Sequence, residues 1–245
     1  ERTIDGGFWR ERLDAAGRYR EQLGLERPGG GPGTESTAYR LVHAEADGLP
    51  SLIVDRYGDY LVVQLLSAGL EAHREEIVEA LRERFGPAGV LARNDVPVRE
   101  FEHLPRTVEL LWGAVPEELE VREGGVRYLV APWSGQKTGA FLDQRENRLR
   151  AGELSRGRAL DCFSYHGSFA LHLAGRAERV VMVDSSADAL ARARANVALN
   201  GFDDVEYVQA SVFDHLRAVE SAGARYDIVV LDPPAFAKRR DAAER

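Results

Sequence analysis

The sequence predicts an α/β protein in which a doubly wound parallel sheet follows a smaller α+β unit. In the second half of the chain, apolar runs with strand character alternate with helical patterns. The runs lie at 158–163, 179–184, 205–210 and 226–232, and the helical patterns lie near 168–175, 187–199 and 212–222. Apolar strands that alternate with helices are typical of a parallel sheet covered on both faces.

The first 36 residues are expected to form a helix and a linker. The sequence RPGGGPGTES at 27–36 interrupts any regular structure, and apolar residues precede it at helical spacing. The predicted apolar face of this helix consists of Phe8, Leu13, Ala16, Tyr19 and Leu23.

Residues 37–134 are expected to form the smaller α+β unit, and residues 135–245 the unit with the parallel sheet. In the α+β unit, strand-like runs precede and follow one amphipathic helical pattern at 70–86. The runs lie at 39–45, 51–58, 60–66, 89–95 and 108–113, and a hairpin at 119–131 turns at Gly124 and Gly125.

Composition limits the class of protein. The 32 basic and 40 acidic residues give a net charge of −8, which argues against a wholly basic nucleic-acid clamp but permits local basic patches. Without an apolar run of membrane-spanning length or a signal-like start, the sequence predicts a cytoplasmic protein that does not enter a membrane. One cysteine and scattered histidines predict neither a disulfide nor a metal site.

Three aspartates follow or end predicted parallel strands. They are Asp161, Asp184 and Asp232. Sheets of this class bind ligands outside the carboxyl ends of their strands, so we expect these acids to lie at one edge. The prolines after Asp232 end the fourth strand, because they have no N–H for the ladder.

The turn after the first predicted strand reads DCFSYHGSFALHLA. Gly167 permits close backbone approach to a ligand, and Ser168 is expected to cap the next helix. One glycine is not the G-x-G-x-x-G of a dinucleotide fold, which weakens an NAD-dependent dehydrogenase as an alternative. A plain strand-to-helix turn also fits this stretch. His166 is expected to be partly exposed.

Asp184 follows the second predicted strand, about 20 residues after that turn, where an acid typically accepts hydrogen bonds from ribose hydroxyls. The same position fits a helix cap, since Asp184, Ser185 or Ser186 can begin the helix that follows.

Two further stretches of the sequence indicate a particular protein family. GQKTGAFLDQREN at 135–147 and LDPPAFAK at 231–238 resemble segments of the bacterial large-subunit ribosomal RNA cytosine-C5 methyltransferase family. The resemblance covers most of residues 37–245. It implies a PUA domain, a central α+β domain and a Rossmann-like domain that uses S-adenosylmethionine (SAM). It also implies that these 245 residues are part of a longer protein, and that such a part is inactive by itself.

The resemblance implies three sets of site residues. The segment that closes over cofactor and target base comprises Lys137, Thr138, Gly139, Phe141, Leu142, Asp143, Gln144, Arg145 and Lys238. The cofactor site comprises Asp161, Phe163, Tyr165, Gly167, Ser168, Asp184, Ser185, Ser211 and Asp232. The catalytic face comprises Asp232, Pro233 and Pro234. The family usually has an acid near the adenine at the position of Ser211, so the serine puts that contact in question.

Carbon 5 of cytosine is a poor nucleophile, and its methylation requires a thiolate that adds to carbon 6. Cys162 lies within a predicted strand and is expected to pack, and position 235, where another RNA methyltransferase group has a cysteine, is alanine. The resemblance implies a nucleophilic cysteine beyond residue 245.

Alternatives remain open at this stage. A SAM-dependent guanine-N7 methyltransferase shares the quoted segments and needs no thiol. An RNA-binding or assembly module without catalysis fits the acidic net charge and Ser211.

Basic clusters around Lys137 and Lys238 are candidate contacts for large-subunit ribosomal RNA, with an ordinary solvated surface as the alternative. The fourth strand is expected to be an exposed edge, which predicts aggregation or a homodimer.

Overall fold

The computed structural model describes residues 3–25 and 36–234. Its contacts divide the chain into two compact units. The first comprises Glu1–Gly125 and Leu129–Asp143, and the second comprises Val126–Tyr128 and Gln144–Arg245. The initial helix therefore belongs to the same unit as the central strands, and the division after Asp143 differs from the predicted boundary at 134.

The first unit is built on a five-stranded sheet in the order β1-β2-β3-β4-β5. Only β3 and β4 pair in parallel, and the other neighbours are antiparallel. The strands are β1 (Ala38–His43), β2 (Leu52–Tyr57), β3 (Tyr60–Leu65), β4 (Gly89–Arg93) and β5 (Val108–Gly113). The helices are α1 (Gly6–Gln22), α2 (Ala68–Ala72) and α3 (Arg74–Phe85), with short 3-10 turns at Ala44–Asp47, Pro97–Glu102 and Leu142–Gln144.

Helix α1 buries the first part of the predicted apolar face, and Phe8 packs against the same core, but the last part of that face is exposed. Trp9, Leu13 and Ala16 pack into the core of the first unit, but Tyr19 and Leu23 are exposed. Arg20 takes the buried position instead, because its guanidinium forms a hydrogen-bonded ion pair with Asp47 and is thereby satisfied without water. The apolar spacing identified the helix but could not identify a buried arginine.

The helical pattern at 70–86 forms two helices with a break at His73. The predicted hairpin is present as β6 (Leu119–Glu123) and β7 (Val126–Val130), which form a two-stranded sheet. Gly124 and Gly125 both have positive φ, at 55° and 90°, as a tight turn between these strands requires.

The second unit contains the predicted parallel sheet, in the order β10-β9-β8-β11. Its strands are β8 (Arg158–Cys162), β9 (Arg179–Asp184), β10 (Val205–Gln209) and β11 (Ile228–Leu231). Its helices are α4 (Arg145–Leu154), α5 (Ser168–Ala174), α6 (Ala187–Asn200) and α7 (Val212–Ser221). The predicted α/β class, a Rossmann-like sheet, is confirmed.

Both faces of this sheet are covered. Leu160 and Cys162 of β8 cluster with Val181 and Val183 of β9 and with Val212 of α7. Side chains alternate along a strand, so the residues between these point to the opposite face. There Met182 lies beside Ala193 of α6, and both would contact a Cβ added at Gly167. The sheet is therefore doubly wound.

Gly157 has a structural role at the start of β8. Its φ is +52°, and a Cβ added there would lie 2.1 Å from Oδ2 of Asp227. That oxygen accepts a 2.8 Å hydrogen bond from the Arg158 amide, which joins the approach to β11 to β8. We expect Gly157→Ala to lower the free energy of unfolding by about 1 to 3 kcal/mol, through backbone strain and displacement of Asp227.

Urea unfolding of the two variants Gly157→Ala and Gly175→Ala measures this effect. Gly175 has a helical φ of −64°, and an added Cβ there meets only ordinary contact, 3.7 Å from the His172 carbonyl oxygen. Gly175→Ala should therefore leave stability unchanged or raise it slightly. Equal stabilities for the two variants would contradict the role assigned to Gly157.

Candidate cofactor site and substrate segment

Two of the predicted acids lie at the carboxyl ends of neighbouring parallel strands. Asp161 is the penultimate residue of β8 and Asp184 is the last residue of β9. Asp232 directly follows β11, which pairs with β8 on its other side. The parallel register brings all three to the same edge of the sheet, as predicted.

Asp161 is buried and accepts a 3.1 Å hydrogen bond from the amide of Ala170, in the first turn of α5. Burial raises the pKa of this carboxyl to about 8. The charges of Asp232 and Asp184 also raise the pKa, whereas the hydrogen bond from Ala170 lowers it. The nearby charges of Asp232 and Asp184 thus add to the effect of burial in disfavouring ionised Asp161, and a positively charged ligand at this edge favours the ionised form.

Asp184 connects two loops at this edge. Its Oδ2 accepts a hydrogen bond from the Tyr165 amide and its Oδ1 accepts one from the Ser186 amide, both at 2.9 Å. Helix α6 is capped instead by Ser186, whose Oγ accepts from the Ala189 amide at 3.2 Å. Asp184 is therefore not the helix cap, and each of its oxygens retains a lone pair that can accept from a ligand hydroxyl.

The loop between β8 and α5 is held in an unusual backbone conformation. Phe163, Tyr165 and Gly167 have φ of +61°, +48° and +85°. Positive φ is costly for the two aromatic residues, and such strain is found where the surrounding structure fixes a functional loop. A Cβ at Gly167 would lie 3.1 Å from the Met182 side chain, so this position also favours glycine sterically.

The predicted role of Ser168 as a helix cap is wrong. Gly167 is the N-cap of α5, without a side-chain cap, and Ser168 is the first helical residue. The carboxyl of Asp161 bonds to the first turn instead, because β8 ends beside it.

His166 is buried, which corrects the expectation that it is partly exposed. Its ring stacks on Tyr128 at a centroid distance of 5.5 Å and contacts Tyr165 edge-on. Its carbonyl oxygen accepts a 2.9 Å hydrogen bond from the buried side chain of Asn196 in α6. The loop is thus fixed from a helix as well as from the sheet.

Asn200 is the last residue of α6, and Gly201 follows it with φ +68°, as a helix C-cap requires. Its side chain also pairs with the backbone of Arg127, accepting from the amide at 2.8 Å and donating to the carbonyl oxygen at 2.6 Å. This pairing attaches the start of β7 to the second unit.

The remaining predicted residues at this edge are more exposed. Ser185, Ser211, Asp232, Pro233 and Pro234 are all exposed. Ser211 is the N-cap residue of α7 without a side-chain hydrogen bond. Asp214, the next acid along the chain, pairs with Arg217 at 2.9 Å. Lys238 and position 235 lie outside the described residues.

Cys162 does not fit the role of a nucleophile. Its side chain is buried within β8, and burial raises the pKa of the thiol to about 11, with a smaller contribution from Asp161. Nucleophilic attack requires the thiolate, which this environment disfavours.

The predicted substrate segment falls mainly in the first unit. Thr138 and Leu142 are buried, whereas Lys137 is exposed and donates from Nζ to Oδ1 of Asp143 at 2.7 Å. Gln144 and Arg145 belong to the second unit at the start of α4. Arg145 pairs with Glu146 there.

Sequence reasoning missed the side chains that hold this segment. Asp55, Tyr57 and Arg93 are buried, and all three hydrogen-bond to residues 132–140. Asp55 and Arg93 lie in otherwise apolar strand patterns, and a charged residue at such a position is the signal that was available.

In residues 3–25 and 36–234, no group of three or more His, Cys, Asp or Glu side chains is arranged to hold a metal ion. None of the helices in this part of the chain has the length and apolar character needed to cross a membrane.

Comparison with known proteins gives relatives across most of the sequence. "Ribosomal RNA large subunit methyltransferase I" of Aeromonas hydrophila subsp. hydrophila is 43% identical over 246 residues, covering 98% of this chain and 60% of that protein. The protein of the same name from Shewanella amazonensis is 42% identical, again over 98% of this chain and 60% of its own length. The chain therefore spans about 60% of the curated relatives it matches.

A solved structure and a family model are also similar to this chain. The crystal structure of SMU.776, described as a methyltransferase complexed with SAH, has a TM-score of 0.82 at 26% identity and covers 98% of this chain and 61% of its own. A family model described as S-adenosylmethionine-dependent methyltransferase matches residues 40–242. That match extends over most of the sequence, and this chain belongs to the S-adenosylmethionine-dependent methyltransferase family.

Proposed function

We propose that this chain is the cofactor-binding part of a SAM-dependent methyltransferase that acts on cytosine carbon 5 of large-subunit ribosomal RNA. The observation that carries the proposal is the edge formed by Asp161, Asp184 and the strained loop between them. The names of the curated relatives support ribosomal RNA as the substrate. Such a substrate also favours a cytoplasmic location.

The edge fits SAM in both charge and hydrogen bonding. SAM supplies a methyl group on a positively charged sulfur, and clustered acids favour a cation. We assign the ribose hydroxyls to the remaining lone pairs of Asp184, beside Ser185. We assign the methionine part to Asp161, Phe163, Tyr165, Gly167 and Ser168.

Further residues near this edge are assigned to the ligand or to the catalytic face. The Oγ of Ser164 is buried and has no hydrogen-bond partner among the described residues, so it is an additional polar group that a ligand or a water can satisfy. Asp232, Pro233 and Pro234 are proposed to separate the methyl donor from the target base, with Ser211 near the adenine.

The choice of carbon 5 depends on a thiolate that Cys162 does not supply. A cysteine nucleophile outside the 245 residues and an attached PUA domain stay predictions, as does inactivity of this chain by itself. Guanine N7 is the alternative target, and an RNA-binding module without catalysis is the alternative class. Nucleoside analysis of ribosomal RNA methylated by the full-length protein distinguishes 5-methylcytidine from 7-methylguanosine.

A homodimer is a further proposal about partners. Within the described residues β11 is an edge of the sheet, and Val229 and Leu231 are 45% and 58% exposed. Exposed apolar edge strands promote pairing between chains. Light scattering that gives a monodisperse monomer would exclude this proposal.

Cofactor binding tests the proposed function. We expect Asp184→Ala to weaken SAM binding by about 1 to 3 kcal/mol, or about 5- to 150-fold in Kd, because hydrogen bonds to the ribose are lost. Asp188→Ala is the matched control, since Asp188 is an exposed acid in the first turn of α6. Calorimetry that finds equal Kd values for these two variants would refute the role of Asp184.

The buried acid predicts an unusual pH dependence of stability. Folding takes up a proton between about pH 4 and 8, because the pKa of Asp161 rises from 3.8 to about 8. The free energy of unfolding of the wild-type chain should therefore fall as pH rises through this window. Asp161→Asn retains an oxygen acceptor for the Ala170 amide but cannot ionise.

Urea unfolding between pH 4 and pH 8 measures this difference. We expect Asp161→Asn to flatten the pH profile and to be more stable than wild type at pH 8. Parallel profiles for the two proteins would show that Asp161 is not the group responsible.

A further inference from the structure

Buried polar side chains from two strands hold the segment around Lys137. Arg93, at the end of β4, donates to the carbonyl oxygens of Pro132 at 2.6 Å and Gly135 at 3.0 Å. Its guanidinium is oriented by two 3.0 Å hydrogen bonds to Asp95. Planar, bidentate pairing of this kind restricts the rotation of the arginine. The start of the segment is thereby fixed.

A chain of hydrogen bonds fixes the end of the segment. Arg40 donates to both carboxylate oxygens of Asp55, at 2.9 and 3.0 Å, and the Thr138 hydroxyl donates to Asp55 at 2.6 Å. Thr138 has one hydroxyl proton, so at its 3.0 Å contact with Tyr57 it must accept. The Tyr57 oxygen accepts in turn from the Ala140 amide at 3.2 Å.

Protonation supports this direction of donation. Burial raises the pKa of the Tyr57 hydroxyl, and the negative charge of Asp55 raises it further. The phenol therefore keeps the proton that it donates to Thr138.

The backbone between these two attachments is strained. Lys137 has φ +54°, in the left-handed region, and Gly139 has φ +136°. A Cβ at Gly135 would lie 2.7 Å from the Ala131 carbonyl oxygen and 2.8 Å from that of Gly139, so the turn closes without space for a side chain. A strained turn persists only where its surroundings over-determine it.

This turn presents a cation and an aromatic ring together. The Lys137 side chain is 42% exposed, and its Nζ lies 4.4 Å from the centroid of the Phe141 ring and 2.7 Å from Oδ1 of Asp143. Partial burial alone would raise the pKa of Asp143, but the hydrogen bond and charge of Lys137 lower it. A lysine beside an aromatic ring provides the two groups that bind the phosphates and bases of single-stranded RNA.

We propose that Asp55, Tyr57 and Thr138 are positioning residues for RNA, which hold the turn so that Lys137 contacts a phosphate. The inference rests on the proposed function, because RNA is the substrate proposed there. Thr138 acts through Lys137 and does not itself meet the RNA, since its side chain is buried.

The test uses fluorescence anisotropy with a fluorescein-labelled single-stranded RNA of about 20 nucleotides, over a series of salt concentrations. Loss of one phosphate contact should reduce the slope of log K against log salt by about 0.7. We expect Lys137→Ala and Thr138→Val to weaken binding similarly, by about 3- to 10-fold, and each to reduce the slope by that amount. Thr138→Ser, which keeps the hydroxyl, should bind as wild type does.

The double variant Lys137→Ala/Thr138→Val separates positioning from general destabilisation. If Thr138 acts through Lys137, the double variant binds RNA no more weakly than Lys137→Ala alone. Additive losses, or a Thr138→Val slope equal to that of wild type, would overturn the inference.

Two controls make the result interpretable. Ser67→Ala removes another hydroxyl of the first unit, the cap of α2, and should lower the urea midpoint of unfolding without changing RNA affinity. Wild type that binds SAM but not this RNA would refute both the inference and the proposed RNA substrate. Wild-type binding that is insensitive to both Lys137→Ala and Thr138→Val would refute the inference alone.

Discussion

The two hydrogen bonds that Asp184 accepts are the interaction on which the proposed cofactor edge depends, the edge formed by Asp161, Asp184 and the loop between them. One comes from the loop after β8 and the other from the loop after β9, so a single carboxylate sets the separation of the two loops. The parallel pairing of β8 with β9 brings these loops together, and the Asp184 side chain then fixes their backbone. Ser186 caps α6, which leaves Asp184 available for this role and for a ligand.

The same edge also carries a cost in stability. Asp161 is buried, and its raised pKa means that folding at neutral pH must protonate a carboxyl that is ionised in the unfolded chain, which costs free energy. A residue that only capped α5 could be an asparagine, which bonds to the Ala170 amide without this cost. An acid at position 161 is understandable if this edge of the sheet binds a cation. The strained backbone conformations of Phe163 and Tyr165 are a second cost in stability at the same edge.

Much of this organisation could be predicted from the sequence, because strand periodicity and strand ends are local properties. The four strands of the second unit, the tight turn at Gly124 and Gly125, and the positions of Asp161 and Asp184 follow from such patterns. Residues whose roles depend on distant partners could not be predicted. Arg20 can be buried because Asp47 and the Arg40 carbonyl oxygen accept hydrogen bonds from it, and Thr138 is held by Asp55 and Tyr57, more than 80 positions away.

The most direct test of the cofactor edge is an NMR titration of the isotope-labelled chain with S-adenosylhomocysteine. The amides of Tyr165 and Ser186 report on Asp184, because they donate to its two carboxylate oxygens. We expect these two amides and that of Gly167 to show the largest chemical-shift changes, at saturating ligand. Saturable changes centred elsewhere, with Tyr165 and Ser186 unaffected, would contradict the assignment of the cofactor to this edge.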